Sequence, residues 1–366
     1  MENGLEQLIT HIWMSALEKM MKKDTSSLRP SLGDLIDLYV PQVRNISILE
    51  AKPTLAKIIY ENAYNSSFQN TFNIMKKLGM PADYFWKYEY WPRERAFETL
   101  RKVINRVFST MMNRHKEGEL DLVSIEMEPI RFTINFKDCA ECADIKTNAK
   151  ICFYHTATFA GILGSLLNRD MAAYETSCHA HEEEICTFII GKRDDPEIQK
   201  EVESYLNNTK IEVNLDNRLI RCLQGEQNRT MGNLVDIRYF NLIYLTSVLT
   251  DPAISCQQNL NTGTEYGKKI APLLCSFYKE NTIDVLKKYY NHLHHLEVNS
   301  IENTDKEINV RIQDCADTSF SYRQETACFL IGELQGLLSY FTSKVIRYNK
   351  SILDGNNLLI NYSLDT

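Results

Sequence analysis

Five of the ten cysteines, Cys139, Cys142, Cys152, Cys178 and Cys186, crowd into one stretch of the chain, whereas Cys222, Cys256, Cys275, Cys315 and Cys328 are spread thinly. Between Cys178 and Cys186 runs a polar loop, His179 to Ile185, flanked by the apolar runs 171–178 and 185–192. Those runs have the length and composition of an antiparallel hairpin. Two thiols at the mouth of a hairpin, with Glu175 three residues earlier, can converge on one metal ion. Cys152, which opens a helix-like segment, can supply a fourth ligand. Three thiolates and one carboxylate suit Zn²⁺, which takes sulfur at ~2.3 Å and oxygen at ~2.0–2.2 Å in a tetrahedron. Free cysteine is also among the most buried residue types, so a plain core role competes with the metal reading. His179 and His181 are alternative ligands, although as loop residues they are expected in solvent. Cys139-Ala140-Glu141-Cys142 forms a C-x-x-C at a strand end. Redox work or an iron–sulfur cluster is open to it. Packing is the expectation for Cys139, because Cys315 repeats it without the second thiol.

The elements that must position these groups occur twice. At an offset of 176, Phe132, Ile134 and Phe136 fall on Ile308, Val310 and Ile312, and Asp138-Cys139-Ala140 falls on Asp314-Cys315-Ala316. Strict apolar alternation predicts a half-buried strand in each copy. A helix-like run follows from Cys152 and from Cys328. Both runs carry small residues four apart, Ala157 with Gly161 and Gly332 with Gly336, one residue out of register at this offset. Such spacing lets a helix lie close against a sheet or another helix. Hairpins are predicted over 171–192 and, more weakly, over Val345–Tyr348 and Leu358–Tyr362 around Asp354-Gly355-Asn356. Upstream, Leu32–Leu38 resembles Met231–Ile237, and each opens a long run containing helical segments such as 96–112 and 283–294. The order predicts an α+β fold: two copies of a helices–strand–helix–hairpin domain with an antiparallel sheet. The expected organisation is an amphipathic helix over 1–30, a first domain over 31–192, a linker with a helix over 193–230 starting near Asp195-Pro196, and a second domain over 231–366. The N-terminal stripe of Leu5, Leu8, Ile9, Ile12, Ala16 and Met20 either docks on its own domain or pairs two copies of the chain as a homodimer.

The Cys152 helix with its small residues, Glu175-Thr176-Ser177-Cys178 and Cys186-Thr187-Phe188-Ile189 together resemble the 4-vinyl-reductase-type domain family. That family includes the sensor domains of aromatic-responsive transcription regulators. The resemblance covers 33–192 well and 232–366 as a degenerate copy. It implies that Cys152, Glu175, Cys178 and Cys186 hold one structural zinc per chain. It also implies a space between helices and sheet for a small hydrophobic or aromatic ligand. Candidate lining comes from Phe132, Ile134, Phe136, Phe153, Phe159 and Trp86, the last in the aromatic stretch Tyr84–Trp91. Two features depart from the family: the usual glycine between Cys178 and Cys186 is missing, and Glu182 to Glu184 add negative charge. At offset 176 the second copy shows Cys328, Ser351, Asp354 and Tyr362 at the four ligand positions, so no zinc is expected there.

Composition narrows the function classes. The chain has 366 residues, 41 Lys and Arg against 48 Asp and Glu, and a net charge of −7. That balance argues against direct nucleic-acid binding, which needs a dominant basic field. The most apolar stretch, 240–249, is half the ~20 residues of a membrane span. The N-terminus lacks the basic region of a signal peptide, so a cytoplasmic protein with reduced thiols is expected. No nucleophile elbow, phosphate loop, dinucleotide fingerprint or H-E-x-x-H motif occurs. His292-Leu293-His294-His295 is expected as a solvated helix end. Four protein ligands leave a zinc no open position, which makes it structural. The chain therefore reads as a non-enzymatic small-molecule-binding or sensor protein. A redox or tetrapyrrole-pathway enzyme and a tethering-type dimerisation scaffold are the alternatives.

Overall fold

The computed structural model describes residues 27–77, 98, 100–102, 104–181, 183–207, 211–226, 229–240, 252–318 and 324–364. The N-terminal stripe and Trp86 lie outside these residues. In chain order the elements are β1 (Leu35–Asp37), α1 (Tyr39–Ala51), α2 (Leu55–Lys77), a π-turn (Ile104–Phe108) running into α3 (Ser109–Arg114), β2 (Glu119–Met127), β3 (Ile130–Lys137), α4 (Phe153–Leu167), β4 (Met171–Ser177), β5 (Cys186–Lys192), α5 (Pro196–Asn207), α6 (Leu215–Leu223), β6 (Leu234–Asp236), α7 (Pro252–Tyr278), α8 (Asp284–His292), β7 (Glu297–Asn303), β8 (Glu307–Gln313), α9 (Cys328–Thr342), β9 (Ile346–Asp354) and β10 (Asn357–Leu364). The fold is α+β with antiparallel sheets. None of the described helices is long and apolar enough to cross a membrane.

Two compact units form. The described part of the first lies within Ala56–Ala143 and Ala149–Thr209; the second comprises Ser27–Leu55, Asp144–Asn148 and Lys210–Thr366. Residues 27–55 thus join the second unit, although they precede the first in the chain. There β1 pairs antiparallel with β6, Ile36 opposite Val235, so the two segments that resemble each other in sequence bind each other.

The first unit carries a four-stranded sheet in the order β2-β3-β5-β4. Alternation on β3 turns Phe132, Ile134 and Phe136 inward, all at most 1% exposed. The apolar run of α4 is buried throughout and ends at Asn168, whose left-handed conformation lets its N–H reach back to the last turn. Gly161 sets how close α4 comes to α2, since a Cβ there would stand 2.5 Å from the Tyr64 carbonyl oxygen. On α5, Asp195 caps the helix by accepting from Glu197 N–H at 2.9 Å.

The second unit repeats the sheet as β7-β8-β10-β9. Its β9–β10 turn is tight, with Gly355 at φ +58°. On α9, Gly332 and Gly336 face Gly263 and Gly267 of α7, and a Cβ at any of the four would overlap the opposite backbone. Cys256 of α7 and Cys328 of α9 are bonded as a disulfide, which corrects the expectation of reduced thiols throughout. The glycine contact explains it, because helices this close bring residues near their ends within bonding reach.

Two further expectations need correcting. Each sheet has a fourth, leading strand, β2 or β7, that alternation did not show. Both strands shift register midway, at 122–124 and at 298–300. The bulge throws Val123 outward, 42% exposed, and breaks the period. His295 is also not solvated. It is buried, with Nε2 2.7 Å from Asp317 Oδ2, while His294 beside it is exposed.

Candidate metal centre

Four elements of the first unit bring their ends together. Cys152 immediately precedes α4, Cys178 follows β4, Cys186 opens β5, and Glu175 lies on β4 opposite Phe188. One sulfur or carboxylate oxygen from each of Cys152, Glu175, Cys178 and Cys186 lies within 4.8 Å of the other three, all buried. Cys152 Sγ is 3.8 Å from both Cys178 Sγ and Cys186 Sγ. Glu175 Oε2 accepts from Cys152 N–H at 3.2 Å and from the Tyr205 hydroxyl at 3.4 Å. Its Oε1 is buried without a hydrogen-bond partner. A carboxylate oxygen left over among thiols is a cost unless a cation takes it.

The same place also gathers Cys139 and Cys142. After β3 the chain turns at Asp138, φ +52°, into a single helical turn in which Ala143 N–H donates to Cys139 O at 2.9 Å. That turn carries both thiols back to the start of α4. Cys139 Sγ is 3.6 Å from Cys152 Sγ, and Cys142 Sγ is 3.3 Å from Cys186 Sγ. Cys139, Cys142, Cys152 and Cys186 make a second close group of four. The C-x-x-C spacing was the available signal; what spacing could not show is the left-handed turn that aims it. His179 and His181 are exposed and belong to neither group.

A buried ionic frame stands behind the thiols. His155 Nδ1 lies 3.0 Å from Glu141 Oε2 and 3.5 Å from Cys139 Sγ, with Nε2 3.6 Å from Glu117 Oε2. The Glu141 carboxylate also accepts from Tyr154 and His155 N–H, where the first turn of α4 concentrates its unpaired donors. Burial works against the His155 charge, but Cys139 and the two glutamates outweigh it and raise its pKa well above the ordinary range. Burial, reinforced by Cys178 and Cys139, pushes the Glu175 carboxyl far up. Burial and neighbouring thiols likewise raise Cys152. Cys139 and Cys178 are held low because hydrogen bonds from adjacent thiols overcome burial.

The expected pocket residues divide. Phe159 meets Phe136 at 5.4 Å and Phe188 at 5.2 Å between ring centroids, on the inner face that Phe132 and Ile134 share. Phe153 turns instead to Tyr205 of α5, at 4.9 Å.

The hydrogen-bonded register corrects which residues of the second unit answer the cluster. The left-handed caps Asn168 and Ser343 align α4 with α9 at an offset of 175, which puts Gly161 on Gly336 and Ala157 on Gly332. Cys152 then answers to Ala327, and Cys328 to Phe153. Phe136 pairs with Cys186, and its counterpart Ile312 pairs with Leu358, so Leu358 rather than Tyr362 stands where Cys186 does. The same ladder puts Leu353 rather than Asp354 in place of Cys178, and keeps Ser351 for Glu175.

The 4-vinyl-reductase domain family matches residues 132–192. No curated protein matches the chain. Among solved structures, the phenol-responsive sensory domain of the transcription activator PoxR, bound to phenol, is 9% identical over 46% of this chain and 80% of its own, with a TM-score of 0.31. A trafficking protein particle complex subunit 3 from Naegleria fowleri, covalently bound to palmitic acid, is 8% identical over 52% of this chain and 97% of its own, with a TM-score of 0.30. Scores of this size leave the residues themselves to carry the functional argument. Residues 132–192, which run from the inward face of β3 to the end of β5 and hold all five clustered cysteines, are a 4-vinyl-reductase-type domain.

Proposed function

We propose that the chain is a non-enzymatic sensor or regulatory protein whose 4-vinyl-reductase-type domain is stapled by structural zinc and takes a small hydrophobic or aromatic ligand. Cys152, Glu175, Cys178 and Cys186 would hold the ion. The observation that carries this reading is Glu175: one oxygen is engaged by Cys152 N–H and Tyr205, and the other stands unpartnered among buried thiols. The donor set fits the ion, since sulfur and carboxylate oxygen are both zinc ligands and all four donors come from one compact unit. A zinc so placed ties the start of α4 to the mouth of the β4–β5 hairpin. The ligand would lie along the Phe132, Ile134, Phe136 and Phe159 face, with Phe153 beside it and Trp86 as a further contact. The second unit, with the same strand order and an aliphatic hairpin mouth, is read as a metal-free copy of the domain.

The test is native mass spectrometry and elemental analysis of the full chain purified under reducing conditions. Zinc retained by the wild type, weakened by Glu175→Gln and lost in Cys186→Ser, is the expected result. A bound apolar small molecule supports the sensing half of the reading. Protein that refolds without metal and is indifferent to chelators would overturn the zinc half.

A further inference from the structure

We propose that the cluster is built for two metal ions bridged by Cys152 and Cys186, with Cys139 and Cys142 completing one tetrahedron and Glu175 and Cys178 the other. This rests on the zinc reading above and extends it.

The two close groups of four overlap at Cys152 and Cys186 and nowhere else. Two tetrahedra sharing an edge need six donors, two of them common, and six donors are present in that pattern. A tetrahedron with metal–sulfur bonds of ~2.3 Å has sulfur–sulfur edges of ~3.8 Å. The shared pair, Cys152 and Cys186, stands at 3.8 Å; Cys139 and Cys178 stand 3.6 and 3.8 Å from Cys152, one on behalf of each group. A lone ion at the Glu175 group would leave Cys139 and Cys142, 2% and 0% exposed, wedged as spectators against its thiolates. Charge points the same way. Five thiolates and a carboxylate carry six negative charges in a buried site, and a single divalent ion offsets too few of them. With two ions, every thiolate and the free Glu175 oxygen acquire a cation. His155, tied to Glu117 and Glu141, is left to orient Cys139 from behind. An iron–sulfur cluster fits less well, because sulfurs already in contact leave no volume for inorganic sulfide between the metals.

The experiment measures bound zinc per chain on reduced, full-length protein after removal of loose metal, and records cadmium NMR on the cadmium-loaded form. The expected result is two ions in the wild type, one in Cys142→Ser and in Cys139→Ser, and two cadmium resonances coupled through shared sulfur. One ion in the wild type, unchanged by Cys142→Ser and Cys139→Ser, overturns the bridged pair and leaves the single-zinc reading standing. Two uncoupled resonances also overturn it, by placing the second ion elsewhere. No metal at all, or a Cys142–Cys186 disulfide in the freshly purified chain, overturns both readings. The wild-type stoichiometry and coupling decide the matter even if a serine variant fails to fold.

Discussion

In both units the strand that carries the Asp-Cys-Ala sequence ends in the same left-handed turn, at Asp138 and at Asp314. In both, the next alanine reaches back to the residue before the leading strand: Ala140 N–H donates to Glu117 O, and Ala316 N–H to His295 O. The frame is shared, and what fills it is not. The first unit sets Glu117 and Glu141 around His155 and surrounds them with thiols. The second sets His295 and Asp317 against Arg44, which lies between the Phe240 and Phe329 rings. Where the first has Cys178 and Cys186 on an eight-residue connection, the second has Leu353 paired with Leu358 across a two-residue turn. An antiparallel hairpin on this helix can therefore be closed by side-chain burial over a short turn. The long loop of the first unit gives up that closure, and its thiols require a cation to replace it.

Chelation tests this difference most severely. Binding of structural zinc in small domains is worth ~10–16 kcal/mol at neutral pH, as much as the whole stability of a typical domain. A strong chelator under reducing conditions should strip hydrogen-exchange protection from α4, β4 and β5 and leave β8, β10 and α9 protected. Equal loss in both units would show that the cluster does not hold the first one together.

Arg44→Met asks the converse question of the second unit. It leaves Asp317 buried beside His295 without the guanidinium, and a broken buried pair costs about 3–5 kcal/mol. Denaturant unfolding followed by exchange at 297–364 should show the loss there, while zinc content stays unchanged.

The strand alternation of Phe132, Ile134 and Phe136, the helix after it, the Asp354-Gly355-Asn356 turn and the convergence of Cys152, Glu175, Cys178 and Cys186 were all legible in the sequence. Each depends on periodicity or on turn chemistry, which are local. Three things were not legible, each for a nonlocal reason. Cys139 and Cys142 join the cluster only because Asp138 turns the chain left-handed. The two bulged leading strands hide their period. The equivalence of the copies drifts from 176 to 175 along the helix, and again at the shortened hairpin. A single sequence offset cannot follow that drift, and cross-strand pairing can.

A pH difference between the units should also appear. Glu333 is buried on α9 and accepts from the Tyr289 hydroxyl at 3.0 Å. Burial raises its pKa from 4.5 to about 7, with Arg44 and the Tyr289 and Tyr290 hydroxyls restraining the rise. A carboxyl raised on folding favours the folded state while it is protonated. Its contribution is full below pH ~4.5 and is lost as pH climbs through about 7. At ~1.4 kcal/mol per unit, the second unit should lose about 3 kcal/mol across that window. Glu333→Gln should flatten the profile and stabilise the unit at pH 8. The counterpart on α4 is Thr158, which has no charge to lose, so the first unit should show no such slope.

The smallest expected effect probes how closely the helices approach. Gly161 and Gly336 occupy the same site, but one turn earlier α4 has Ala157 and α9 has Gly332. The second unit can accept no Cβ at Gly332, because Leu260 O of α7 lies on that line, and α7 comes this near through its own Gly263 and Gly267. On α2 the facing residues at Gly161 are Tyr64, Ser67 and Phe68, which hold the helices wider apart. Gly332→Ala should therefore force α7 and α9 apart, at about 1–3 kcal/mol. Ala157→Gly should cost only the helix propensity, about 1 kcal/mol. Thermal unfolding of the paired variants reads this directly. If Gly332→Ala proved as mild as Ala157→Gly, the two helix pairs would be packed alike, and the difference between the units would reduce to the hairpin mouth and the charges behind it.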